Sequence, residues 1–217
     1  MKELEHILPA DIEKESFRII GHELSEKGIA LESGTEAIVK RVIHTTADFD
    51  YASTLAFSPD CIEKACALLK AGAHIVTDTN MALSGINKKA LSSLGGDVHC
   101  FMACEEVAKE ASERSVTRAY VSMEKAFSID APLIFAVGNA PTALVSLCDQ
   151  MEKGLLPRLV IGVPVGFVNV EASKELLEKT CAEKDVPYIV NRGRKGGSTV
   201  AVAICNALLY MVNASRK

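Results

Sequence analysis

The sequence has no tryptophan, and aromatic residues make up only 5 % of its 217 positions. An aromatic platform for stacking nucleic-acid bases therefore has little to be built from. Surplus positive charge is also lacking: 24 Lys and Arg stand against 28 Asp and Glu, a formal net charge of −4. No chain-wide basic footprint exists, and no nucleic-acid partner is expected. Long apolar runs are missing too. Residues 200–212 come nearest, are interrupted by Asn206, and are too short to cross a bilayer, so they read as a buried helix and no membrane partner is expected. The opening MKELEHILPADIEKE is charged from its second residue and has no secretory apolar core. Cysteines number seven, at 61, 66, 100, 104, 148, 181 and 205. An odd, scattered set without a secretory signal points to reduced thiols and a cytoplasmic location.

Several motifs are absent as well. The chain contains no C-x-x-C, H-x-x-H or H-E-x-x-H. Cys100 and Cys104 are four apart, but Cys100 falls in an expected strand, so the pair lacks helical geometry and no metal site is expected. G-x-G-x-x-G and the phosphate loop G-x-x-x-x-G-K-[ST] are missing, which disfavours a nucleotide-binding oxidoreductase. No G-x-S-x-G elbow offers a serine nucleophile.

What is present is a globular composition, 48 % hydrophobic and 24 % charged, with no domain-scale linker, so residues 1–217 read as a single domain. The first seventy or so residues read as helices. Residues 11–25 place Ile12, Ile19, Ile20 and Leu24 at helical spacing. Ser33 and Glu36 form a capping-box pattern for a helix running to about Thr46. Ser58-Pro59 predicts a third helix start, with Pro at the first helical position and Gly72 at the end.

Beyond residue 73 short apolar runs appear at 74–77, 98–102, 133–137, 159–163 and 188–190, each followed by helical periodicity, clearest over 141–153, 170–183 and 198–212. Alternation of this kind predicts an α/β fold: a mostly parallel sheet covered by helices on both faces, with a helical N-terminal third. In such sheets ligands bind beyond the carboxyl ends of the strands. Those ends carry Asp78-Thr79-Asn80-Met81, Gly138-Asn139-Ala140-Pro141, Val163-Pro164-Val165-Gly166, and a loop holding Arg192, Arg194, Lys195, Gly196 and Gly197. Glycine-rich turns entering helices, with basic residues nearby, predict an acidic ligand.

The segment AIVKRVIHTTADFDY carries a second signal. On a helix, Ile38 with Val42 and Val39 with Ile43 form two apolar flanks, while Ala37, Arg41 and His44 share a third face. Arg41 can clamp a carboxylate with a forked pair of bonds, and His44 can lend or take a proton near neutrality. The remaining histidines carry less: His6 and His22 sit among charges, and His74 and His99 lie in or beside strands.

These residues together resemble the precorrin-8X (cobalt-precorrin-8) methylmutase family of cobalamin biosynthesis. The resemblance runs through SFRII, RVIH, FSPD, DTNM-x-x-x-G from Asp78 to Gly85, Thr117-Arg118, GNAPTAL from Gly138, GVPVGFVNVEASKE from Gly162 and GRKGGST from Gly193. It implies an isomerase moving a methyl group from carbon 11 to carbon 12 of ring C of a corrin precursor. It implies no redox cofactor, cobalt where present arriving inside the substrate, and a homodimer with the site near the subunit interface. The family's catalytic histidine matches His44, and its substrate contacts match Ser16 and Arg41, with Arg118 as a carboxylate partner. Asn80, Gly138, Asn139, Arg192, Arg194, Gly196 and Gly197 complete the expected substrate-binding set. A non-catalytic tetrapyrrole carrier on the same scaffold is the alternative.

Overall fold

The computed structural model describes Leu8 and residues 11–214. His6 and the opening of the N-terminal segment lie outside them. Helices α1 (Ile12–Glu26), α2 (Glu36–Thr46) and α3 (Tyr51–Thr54) come first, then strand β1 (Leu55–Phe57) and helix α4 (Cys61–Lys70). Next follow β2 (His74–Thr77), α5 (Asn80–Gly85), α6 (Lys88–Ser92), β3 (Val98–His99), α7 (Glu105–Glu113) and α8 (Arg118–Ala126). The rest alternates: β4 (Leu133–Val137), α9 (Pro141–Glu152), β5 (Leu159–Gly162), α10 (Val170–Glu183), β6 (Tyr188–Asn191) and α11 (Ser198–Ala214).

The strands form one sheet in the order β1-β6-β5-β4-β2-β3. All neighbours are parallel except β1, which runs antiparallel to β6 with Ala56 opposite Val190. The sheet is mostly parallel and covered on both faces, as the alternating pattern predicted. Alternate strand residues point to opposite layers. Ile75, Ile134, Ile161 and Ile189 share one core with α1, α2, α4 and α11 on one face, whereas Val76, Phe135, Val160 and Val190 share the other with α8, α9 and α10. Burying each such side chain contributes about 1.5–3 kcal/mol. Helix α11 is the centrepiece of the first layer, and Asn206 sits in it for a reason. Its side chain accepts from the Asn87 amide at 2.8 Å and donates to the Gly85 carbonyl at 3.1 Å, which anchors the turn between α5 and α6.

Five local expectations need correction. The Ser33/Glu36 capping box does not form: Gly34 turns the chain at φ +87°, the helix starts at Glu36, and Thr35 donates back to the Glu32 carbonyl instead. Pro59 precedes α4 without being its first residue, because Asp60 adopts φ +55° and the helix begins at Cys61. The end of α4 is as expected: the amides of Gly72 and Ala73 close on the Leu69 and Leu68 carbonyls with Gly72 at φ +80°. In α1, Ile20 and Leu24 are buried, but Ile12 and Ile19 lie exposed on the face turned away from α2. Strand β3 is shorter than its apolar run, leaving Cys100 outside it, and β1 is too short to show a period in sequence.

Candidate active site

The order in which strands join the sheet switches sides at β2, whose neighbours β3 and β4 lie on opposite sides of it. Ligands in open α/β sheets collect at such a switch point. Here the crevice is filled by the protein itself. Helix α9 has alanine at its N-cap, which offers no side-chain acceptor. The buried Asp78 carboxylate, at the end of β2, supplies one: it accepts from the amides of Gly138 (2.9 Å), Asn139 (2.8 Å) and Ala140 (2.7 Å). Burial pushes the Asp78 carboxyl upward while the three amides pull it down. Burial outweighs the amides, so the group is held above the ordinary carboxylate range while both oxygens accept at the positive end of the helix. Gly138 and Asn139, expected to meet the ligand through their amides, therefore donate within the fold. Gly138 is needed for close packing: a Cβ there would stand 2.6 Å from the Ser198 Cα.

The other strand-end loops are sewn together in the same way. Thr79 caps α5 and bonds to the Ser198 hydroxyl at 2.8 Å. Gly196 lies against β5's exit, where a Cβ would come 2.1 Å from the Val163 carbonyl, and the Gly197 amide donates to that carbonyl at 2.9 Å. The basic side chains of this loop are matched by acids. Arg192 turns toward α10 and forks onto Glu178 (2.9 and 3.3 Å to Oε2), Arg194 pairs with Glu171 at 3.2 Å and lies over the Phe167 ring, and Lys195 reaches Asp48 and Asp50, both at 2.6 Å. The three basic residues expected beside an acidic ligand are thus each ion-paired within the fold. Residue 192 shares the sheet face of Val190, on the α10 side, away from the layer that carries α2.

The α2 face is different. Ile38, Val39, Val42 and Ile43 are buried as the two apolar flanks require, leaving Arg41 and His44 on the outer face. The His44 ring is exposed, leans on the Phe17 ring at 5.4 Å between centroids, and has no hydrogen-bond partner among the described residues. Arg41 is held between the Phe17 ring (5.2 Å) and the Tyr210 ring (4.8 Å), with Glu13 at 2.8 Å. Flanking aromatic faces fix the guanidinium's plane. Two clefts share Arg41. One, of about 240 Å³, also has Thr45, Met81, Thr199 and Val202 in its wall. The other, of about 330 Å³, is bounded by Phe17, Lys40, Tyr210 and Met211. A cavity of about 500 Å³ at the opposite, amino end of the strands, near Leu156 and Arg158, contains none of the expected site residues.

The remaining expected contacts fall into two kinds. Ser16 is half-buried and donates to the Ile12 carbonyl at 2.9 Å, a helix back-bond. Asn80 and Arg118 are exposed first residues of α5 and α8, and Arg118 has no ion pair among the described residues. The cysteines are free, and burial pushes Cys61 and Cys148 up to about 11 and Cys181 and Cys205 up to about 12, so these four are poor nucleophiles. No cluster of three metal-ligating side chains occurs among the described residues, and no helix among them is long and apolar enough to cross a membrane. Sequence reasoning missed Asp78 and the buried Lys174, which donates to the Gly193 and Lys195 carbonyls. The aspartate ending a strand was the one available signal.

The chain is similar to known proteins over nearly its whole length. The family model described as Precorrin-8X methylmutase matches residues 11–211. A protein named cobalt-precorrin-8 methylmutase from Leptospira interrogans is 41 % identical over 94 % of each chain. One of the same name from Salmonella typhimurium is 43 % identical over 93 % of this chain and 95 % of that one. The crystal structure of a precorrin-8X methylmutase from Thermus thermophilus superimposes with a TM-score of 0.81 at 36 % identity, covering 94 % of this chain and 98 % of that one. This chain belongs to the precorrin-8X methylmutase family.

Proposed function

We propose that the protein is a methylmutase of cobalamin biosynthesis, an isomerase that moves a methyl group from carbon 11 to carbon 12 of ring C of a precorrin-8-type macrocycle, with His44 as the reversible proton donor. One observation carries the reading: an exposed imidazole with no hydrogen-bond partner among the described residues, beside a guanidinium fixed between two rings. Protonating the conjugated macrocycle weakens the bond to the migrating methyl, and the same imidazole takes the proton back once the methyl has moved. Arg41 holds a peripheral carboxylate, so the ring is presented to His44 in one orientation. Ser16, Asn80 and Arg118 are the further candidate contacts for the acidic periphery. A rearrangement leaves atoms and electrons unchanged in number, so it requires no redox cofactor. The relatives from Leptospira and Salmonella are named for cobalt-precorrin-8, and we take the cobalt form, with its metal inside the substrate, as this chain's substrate.

The reading is tested by incubating the protein with enzymatically made cobalt-precorrin-8 and recording visible spectra. Turnover changes which ring carbons are saturated, so the chromophore shifts with time. A stoichiometric complex with an unchanged spectrum overturns catalysis in favour of a carrier.

We also propose a cytoplasmic homodimer with the site near the subunit interface. Neither cleft beside Arg41 encloses a tetrapyrrole, and exposed apolar residues flank the region: Met81 at 66 %, Phe167 at 83 % and Val168 at 77 % exposure. Sedimentation showing a monomer at working concentration overturns the dimer.

A further inference from the structure

Among the described residues the buried charged side chains are Asp78 and Lys174. Asp78 caps a helix. Lys174, on α10 and only 1 % exposed, has no carboxylate within ion-pair distance among the described residues. Glu171, the acid that acts on it through space, is engaged by Arg194 at 3.2 Å. The ammonium instead donates to two main-chain carbonyls, Gly193 at 2.7 Å and Lys195 at 2.9 Å, and the Asn191 side chain adds a second donor to Lys195 at 2.8 Å.

This has a geometric consequence. In a trans peptide the carbonyl and the following amide point in opposite directions, and the described chain has no cis peptide. Turning the Gly193 and Lys195 carbonyls in toward Lys174 therefore turns the Arg194 and Gly196 amides outward. Neither amide has an acceptor among the described residues, whereas the next one, Gly197, is bonded to Val163. The loop is pinned from its other side by Lys195 to Asp48 and Asp50, just beyond His44. Two outward amides backed by a buried, unpaired positive charge are suited to a single carboxylate.

We propose that Lys174 is a positioning residue that makes the Arg194 and Gly196 amides a docking point for one carboxylate of the substrate's periphery. This rests on the methylmutase reading, which supplies the polyacid ligand. It assigns to the loop's backbone the contact that its ion-paired arginine side chains do not make.

Two measurements test it. In the native protein, titration with hydrogenobyrinic acid, a metal-free corrin polyacid, is followed by amide NMR. The Arg194 and Gly196 resonances are expected to move and gain protection from exchange, with Gly197 nearly still. In Lys174→Met, KM for the precursor is expected to rise by about tenfold with kcat falling far less; a purely structural role would lower the folded fraction and leave KM alone. Binding without movement of the two amides, or a folded variant with unchanged KM, overturns the proposal while leaving the methylmutase reading intact. If the variant does not fold, the native amide shifts decide. A native protein that neither binds the acid nor turns over the precursor overturns both.

Discussion

The strand-end loops and the outer face of α2 both looked like binding surfaces in sequence, yet they differ in one physical respect. At the loops nearly every polar group has found a partner inside the fold: Asp78 takes three amides, Thr79 meets Ser198, and Arg192, Arg194 and Lys195 face Glu178, Glu171, Asp48 and Asp50. On α2 Arg41 is likewise paired, with Glu13 at 2.8 Å, but the imidazole of His44 has no hydrogen-bond partner among the described residues. A satisfied polar group builds scaffold, because breaking its bond to reach a ligand costs what the ligand returns. An unsatisfied group at the surface is free to act. The glycine-rich loops and basic residues proved to be joined to one another inside the fold, whereas the helical i, i+3 pair keeps one group, His44, without a hydrogen-bond partner among the described residues.

That contrast can be broken or sharpened by experiment. The largest effect is expected from His44→Ala: turnover falls by about 10²–10⁴-fold with an unchanged melting temperature and retained corrin binding. Full activity in the variant removes the assigned proton donor. Asp78→Ala should act in the opposite sense, on folding. It strips the acceptor from three amides and is expected to destabilise by about 3 kcal/mol, read from urea unfolding; a change below about 1 kcal/mol shows that water replaces the cap. Arg41→Ala is expected to weaken corrin polyacid binding by about 2 kcal/mol by titration, and unchanged affinity demotes Arg41 to packing between Phe17 and Tyr210.

Two smaller effects follow on the scaffold side. His74 Nδ1 and His99 Nε2 share a bond of 2.9 Å, so at least one ring is neutral. Burial holds His99 below its ordinary 6.5, with His74 adding to the lowering and Asp97 opposing it. The unfolded chain then binds protons more readily, so this contribution to stability is complete above pH 6.5 and is lost as pH falls below it. Melting temperatures between pH 8 and pH 5 should show a decline that His99→Gln reduces; an identical profile in the variant assigns the decline elsewhere. The smallest effect is expected from Arg192→Ala, whose exposed pair with Glu178 is worth less than about 1 kcal/mol and faces away from α2. A marked loss of corrin affinity there would return Arg192 to the site.

Much of this architecture was legible beforehand because it rests on local periodicity. The runs HIVT, LIFAV and LVIG are strands, and α9, α10 and α11 begin where their patterns begin. The buried flanks of α2 follow from spacing alone. The failures also share a cause. The three residues of β1 carry no period, and Gly34 uncoupled Ser33 from Glu36 by a backbone turn that composition does not reveal.

By itself the sequence determined the layering of helices on a parallel sheet and placed Arg41 and His44 on one exposed helical face, since both depend on residues within a few positions of each other. Only the tertiary structure decided which polar groups remain available. Asp78 meets amides 60 to 62 residues away, and Lys195 crosses 147 positions to Asp48. Whether a buried or loop polar group is satisfied depends on distant partners converging on it, and neither local spacing nor composition carries that information.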